Sequence, residues 1–171
     1  MKNILLFLAL SSTILFTSCE GDPGPPGEPG GLVFGQVFET TVDFGYNSGA
    51  NTYSSSFIEF PFEVYESDVV LVYRYIETVD TFDVWTQLPQ NIFYQDGTGD
   101  IFQYNFNHTF VDVQFTIEGN FDLTNIDSFY VNDQIFRVAV VPAEFAATKP
   151  SMEQLLAKMQ VDASEIERIE M

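Results

Sequence analysis

The sequence predicts an all-β fold, an antiparallel β-sandwich of about eight strands with a short C-terminal helix. Three observations predict it. β-Branched and aromatic residues fall in short runs bounded by turn residues across residues 33–147. Two of these runs, 69–76 and 135–141, are apolar on both phases apart from Arg74 and Arg137, as expected of strands covered on both faces or nearly so. Helical spacing is absent until Pro150. That many strands bury their apolar sides best as two sheets face to face; a closed or half-closed barrel is the alternative.

Each element follows from local pattern. Residues 33–44 form a first strand or strand pair. Residues 45–56, with Asn47, Ser48, Gly49 and Asn51, read as a polar loop. Ile58, Phe60, Phe62 and Val64 alternate with Glu59, Pro61 and Glu63, a strand with one wet face. Pro61 cannot donate to a ladder, so that strand belongs at an edge or a bulge. In 81–88, Phe82, Val84, Thr86 and Leu88 share one side, and Asp83, Trp85 and Gln87 the other. Residues 91–94 and 101–107 flank Asp96-Gly97-Thr98-Gly99-Asp100, a hairpin turn. Val111, Val113, Phe115 and Ile117 then face one way. In the tail, Ser151 and Gln154 have the spacing of a capping box, and Leu155, Leu156 and Met159 form an apolar stripe. A last short strand within 166–171 is expected to dock on the sandwich.

The first 18 residues read as a signal peptide: Lys2, then an apolar run over 4–16, then Thr17-Ser18-Cys19. At about 1.5 Å per residue that run is too short for a hydrocarbon core of roughly 30 Å. Cys19 is the one cysteine in the chain, so it has no internal disulfide partner. Its place after small polar residues resembles a bacterial lipobox, with Phe16 where Leu is commonest. Acylation of Cys19 and cleavage before it are therefore expected, and two or three acyl chains hold a protein where one does not. Residues 19–32 carry Gly at every third position through Gly21-Asp22-Pro23, Gly24-Pro25-Pro26 and Gly27-Glu28-Pro29 to Gly30. So few collagen-like triplets make a polyproline-II spacer of roughly 30–40 Å rather than a triple helix. Residues 33–147 are the expected sandwich domain, and 148–171 its C-terminal helix and strand.

Charge narrows the function further. Residues 1–18 hold one base and no acid, so their removal leaves 5 basic against 25 acidic residues, a formal charge of −20. Such a surface repels nucleic acid and anionic membrane, because a phosphate contact needs a Lys or Arg. With 46% apolar residues the chain is not disordered.

The 19–32 leader is followed by Gly35-Gln36-Val37-Phe38-Glu39, Val64-Tyr65-Glu66-Ser67-Asp68-Val69-Val70-Leu71, Trp85-Thr86-Gln87-Leu88-Pro89, Tyr104-Asn105-Phe106-Asn107-His108 and Phe136-Arg137-Val138-Ala139-Val140-Val141-Pro142. In these segments the chain resembles the collagen-like lipoproteins of flavobacteria and related Bacteroidota. The resemblance implies an outer-membrane or cell-surface address in a Gram-negative bacterium. It implies no active site.

Candidate chemistry is sparse. One histidine, His108, and one cysteine exclude a structural or catalytic zinc cluster, and no Gly-x-Ser-x-Gly turn accompanies His108, which reads as a turn residue. Dinucleotide and dithiol motifs are absent, and no cofactor is expected. Glu59, Glu63 and Asp83 are nominal carboxylates for a glycoside hydrolase. Asp96 and Asp100 offer oxygens for calcium, although the turn lacks the distal glutamate of an EF-hand and reads as a plain hairpin. Trp85 with nearby tyrosines is a candidate sugar-stacking or protein-anchoring site; the plainer expectation is a Trp half-buried under a loop or the C-terminal helix. The leading expectation is a monomeric, non-enzymatic domain displayed for interaction with an envelope protein or glycan, or for structural use. A carbohydrate-binding module around Trp85 and a carboxylate hydrolase are its rivals.

Overall fold

A computed structural model of the chain describes residues 35–94 and 97–170. The signal peptide, Cys19, the Gly-x-Pro stem and Asp96 lie outside the described residues.

The described chain is an all-β sandwich of two sheets, its strands being β1 (Gln36–Val42), β2 (Gly45–Asn47), β3 (Thr52–Ser54), β4 (Ile58–Glu59), β5 (Asp68–Val79), β6 (Phe82–Gln87), β7 (Gln90–Phe93), β8 (Ile101–His108), β9 (Asp112–Gly119), β10 (Gln134–Pro142) and β11 (Glu167–Ile169). The first sheet has the order β11-β1-β10-β5-β6. The second runs β2-β3-β9-β8-β7, with β4 also on β9. Pairing is antiparallel throughout except that β11 lies parallel to β1. The strand number exceeds eight because five of these strands are only two to four residues long. At the cis Leu88–Pro89 peptide the chain passes from the first sheet to the second.

Strand alternation sends Phe38 and Val42 of β1, Val70 and Val72 of β5, and Phe136, Val138 and Val140 of β10 inward. There they meet Tyr53, Ile58, Phe102, Tyr104, Val113, Phe115 and Ile117 of the second sheet. Phe115 and Phe136 stack at the centre, with ring centroids 4.2 Å apart and planes 10° from parallel. The opposite face of the first sheet is covered too. Leu71, Tyr73, Ala139 and Val141 pack against Met152, Leu155 and Leu156 of helix α2 (Met152–Met159) and against Ile166. This second layer is why β5 and β10 are apolar on both faces apart from Arg74 and Arg137. Helix α1 (Ala143–Ala146) precedes α2. The capping box of α2 forms as the spacing predicts: Gln154 N donates to Ser151 Oγ, and Ser151 N to Gln154 Oε1.

Polar groups inside this core meet different fates. Arg74 is buried without a carboxylate. It donates to Gln134 Oε1 from Nε and Nη2 at 2.9 and 2.6 Å, and its guanidinium lies 4.3 Å from the Tyr104 ring centroid. Burial holds its pKa below the usual arginine value. Thr40, also buried, has a hydroxyl with no hydrogen-bond partner among the described residues. Thr40→Val keeps the shape and removes the stranded hydroxyl, so it is expected to stabilise the domain by about 1 kcal/mol in chemical denaturation.

Tyr73 ties α2 to the first sheet. Its hydroxyl donates to Pro150 O at 2.6 Å, and burial pushes its pKa up to about 12. A phenol whose folded pKa lies above the unfolded value of about 10 gives stability that is whole below pH 10 and fades as pH climbs toward 12. Burial raises the Tyr104 pKa as well, so both contribute to this alkaline loss. Tyr73→Phe is expected to lower stability at pH 7 by about 1 kcal/mol and to flatten the decline between pH 10 and 12. Denaturation midpoints over that range measure both effects.

Candidate functional site

The ladder between β4 and β9 is short because Pro61 has no N–H to extend it. The last bond along this edge runs from Phe60 N to Val111 O at 2.8 Å. Beyond it residues 60–64 are not a strand, yet the alternation persists: Phe60, Phe62 and Val64 lean on the core, while Glu59, Pro61 and Glu63 stay exposed. Phe38 receives the edges of Phe60 and Phe62 at 6.2 and 6.0 Å.

Facing this segment is the turn between β8 and β9. Thr109 Oγ1 donates to Asp112 Oδ1 at 2.6 Å and accepts from Val111 N at 3.1 Å, which fixes a tight loop. That loop turns Phe110 and Val111 outward, 61% and 65% exposed. Between the two lies an open cleft of about 590 Å³ lined by Glu59, Phe60, Phe62, Glu63, Val64, Phe110 and Val111. Its side chains are apolar or anionic, and none is a hydrogen-bond donor at neutral pH. The nearby Tyr65 hydroxyl donates to Glu63 Oε2 at 3.2 Å.

The cleft sits at the end of the sandwich where the described chain begins. Gln36 pairs with Val140 and Pro142 with Asp68, so the starts of β1 and β5 share this end, and residues 60–64 run into it. A Cβ on Gly35 would come 2.8 Å from Val141 Cγ1 and 3.1 Å from Met159 Sδ, so the chain enters tight against β10 and α2.

Against models of known families, curated proteins and solved structures, the chain matches none. The site is therefore read from its own geometry.

The residues singled out by sequence are dispersed. Glu59 and Glu63 do come together in the cleft, but both remain exposed. Asp83 lies on β6, at the edge of the other sheet, and accepts a hydrogen bond from Thr78 Oγ1 at 2.8 Å. His108 ends β8, exposed, its ring stacked on Phe106 and its Nδ1 3.1 Å from Thr109 O. Asp100 closes the β7–β8 turn: its N–H donates to Thr98 Oγ1 and its carbonyl accepts from Tyr94 N. Gly97 and Gly99 in that turn take φ of +83° and +80°, the left-handed region where glycine is at ease. Among the described residues no three His, Cys, Asp or Glu side chains group as metal ligands.

Trp85 is half-buried against the layer of α2. Its ring face is taken by the Arg137 guanidinium at 4.0 Å, and its edge meets Tyr75 at 5.6 Å. Arg137 in turn donates to Glu39 Oε2 at 2.9 Å, and Arg168 reaches Glu39 Oε1 at 3.0 Å. On the other face of the β5–β6 hairpin, Phe82 is 76% exposed. Sequence reasoning passed over Phe110 as a site residue. Its only signal was an apolar pair set between the turn residues Thr109 and Asp112.

Proposed function

We propose that this chain is a lipid-anchored envelope protein of the outer membrane or cell surface, similar to the collagen-like lipoproteins, which displays a non-enzymatic sandwich as a recognition domain. The observation that carries the recognition role is the cleft. Phe110 and Val111 stand more than half exposed beside three half-buried apolar side chains in one concavity, an arrangement that apolar burial against a partner would stabilise. The anchor rests on Cys19 and the apolar leader before it. Among the described residues no helix is long and apolar enough to cross a membrane. The formal charge of −20 favours a monomer, since like surfaces repel.

The rival readings draw less support. A carboxylate hydrolase needs one acid desolvated to hold its proton, and Glu59 and Glu63 are both exposed. A sugar platform on Trp85 needs an open ring face, and Arg137 covers one.

Wild-type protein is expected to incorporate labelled palmitate and to sediment with membranes, and Cys19→Ala to do neither. Equal incorporation by the two forms overturns the anchor.

A further inference from the structure

We propose that the cleft between residues 59–64 and the Phe110-Val111 turn binds an organic cation, the alkylated ammonium group of a small molecule. The inference rests on reading the cleft as a recognition site, and it names the ligand class. Three phenylalanine rings, those of Phe60, Phe62 and Phe110, line the cleft with the exposed carboxylates of Glu59 and Glu63. Aromatic faces carry negative potential and attract cations, and an alkylammonium offers both the positive charge and the apolar shell that such rings favour.

The chemistry of the lining favours a cation over the other classes. Anions are repelled by the two carboxylates, and a neutral sugar, although its hydroxyls can donate to them, brings no charge to balance two acids. A bare metal ion needs several oxygens, whereas this cleft offers two carboxylates on an apolar floor, and no metal-ligand group occurs among the described residues. A neutral hydrophobe would fit the floor but gain nothing from two acids. An organic cation uses every feature present. No Lys or Arg lines the cleft to compete for the carboxylates. Among the described residues the ion pairs run from Arg137 and Arg168 to Glu39, and neither Glu59 nor Glu63 takes part in one. The strongly negative whole further concentrates cations at the surface.

The test is a titration of the full chain in dodecyl maltoside micelles, which carry no ammonium group, followed by ligand-observed NMR. Choline is the probe, and 3,3-dimethylbutanol is its uncharged isostere. Choline is expected to bind saturably, and the isostere at least ten-fold more weakly. Glu59→Gln with Glu63→Gln should weaken choline at least ten-fold, and Phe110→Leu, which keeps apolar bulk but removes the ring, several-fold. These residues are surface-exposed, and unchanged circular dichroism confirms that the variants fold. Equal binding of choline and its isostere overturns the proposal in favour of a plain apolar cleft. Absence of saturable choline binding, or binding indifferent to the cleft variants, overturns it as well. Palmitate labelling and membrane sedimentation are read on the same protein. Failed choline binding on an anchored protein thus defeats this inference alone, and retained binding on an unanchored one defeats only the address.

Discussion

Phe136→Ala is expected to cost about 3–5 kcal/mol, the usual range for truncating a buried aromatic ring. Phe136 is fully buried on β10, the central strand of the first sheet, and it stacks on Phe115 across the sandwich. Phe44 and Tyr104 close around it edge-on at 6.2 and 6.4 Å. Rings packed from both sheets cannot collapse into the space without moving strands, so most of the cavity persists. Against a total stability of roughly 5–15 kcal/mol, that is about a fifth of the whole or more. Chemical denaturation should show a lower midpoint with an unchanged slope. Phe82→Ala, which removes an equal ring from an exposed hairpin, should stay within about 0.5 kcal/mol. A Phe136→Ala protein as stable as wild type would mean that the two sheets do not meet there.

Glu39→Ala is the second large effect, expected at about 3 kcal/mol. Glu39 is buried on β1 and serves two arginines, of which Arg137 is buried and Arg168 is not. Removing the carboxylate leaves Arg137 charged and desolvated with only the Trp85 ring beside it, the situation in which a broken buried pair costs most. Arg168→Ala should cost under about 1 kcal/mol, because its side chain is 77% exposed and solvent screens it. The double variant Glu39→Leu with Arg137→Met should recover most of the loss, since it removes both charges together. Thermal melts of wild type and these three variants make the comparison. A Glu39→Ala melt equal to that of Arg168→Ala would show that Arg137 does not depend on this carboxylate.

Much of the framework was legible because the signals were local and periodic. The alternation at Ile58, Phe60, Phe62 and Val64, the two-faced runs of β5 and β10, and the Ser151–Gln154 capping box each reflect a pattern that the backbone imposes on neighbours in sequence. Pro61 announced the end of the β4 ladder. The segment 45–56 was less legible. It holds the hairpin of β2 and β3 instead of a loop, with Tyr46 and Tyr53 directly paired and their rings 5.0 Å apart. Asn51 in the left-handed region ends its turn and donates to Phe121 O, a contact 70 residues away.

Which side of a strand is covered depends on distant elements, and there periodicity misleads. Trp85 shares its phase with the polar Asp83 and Gln87, yet it is half-buried, as the bulk of a tryptophan had led one to expect. The C-terminal layer that half-buries it lies more than sixty residues further along the chain. Phe82 and Val84 on the apolar phase are the ones left in water, because β5 and β6 pair with each other beyond the last rung shared with β10, Phe136 with Arg74. The cleft was hidden for the same reason. Glu59 and Glu63 were visible as wet acids, but their meeting with Phe110 is a tertiary event.

The proposed anchor is a single acylated thiol, that of Cys19. The mass of the intact mature protein, extracted from membranes with detergent, tests this directly. It should begin at Cys19 and exceed the mass of residues 19–171 by a diacylglycerol, with or without a third acyl chain. A mature form that begins elsewhere, or at an unmodified Cys19, would contradict it.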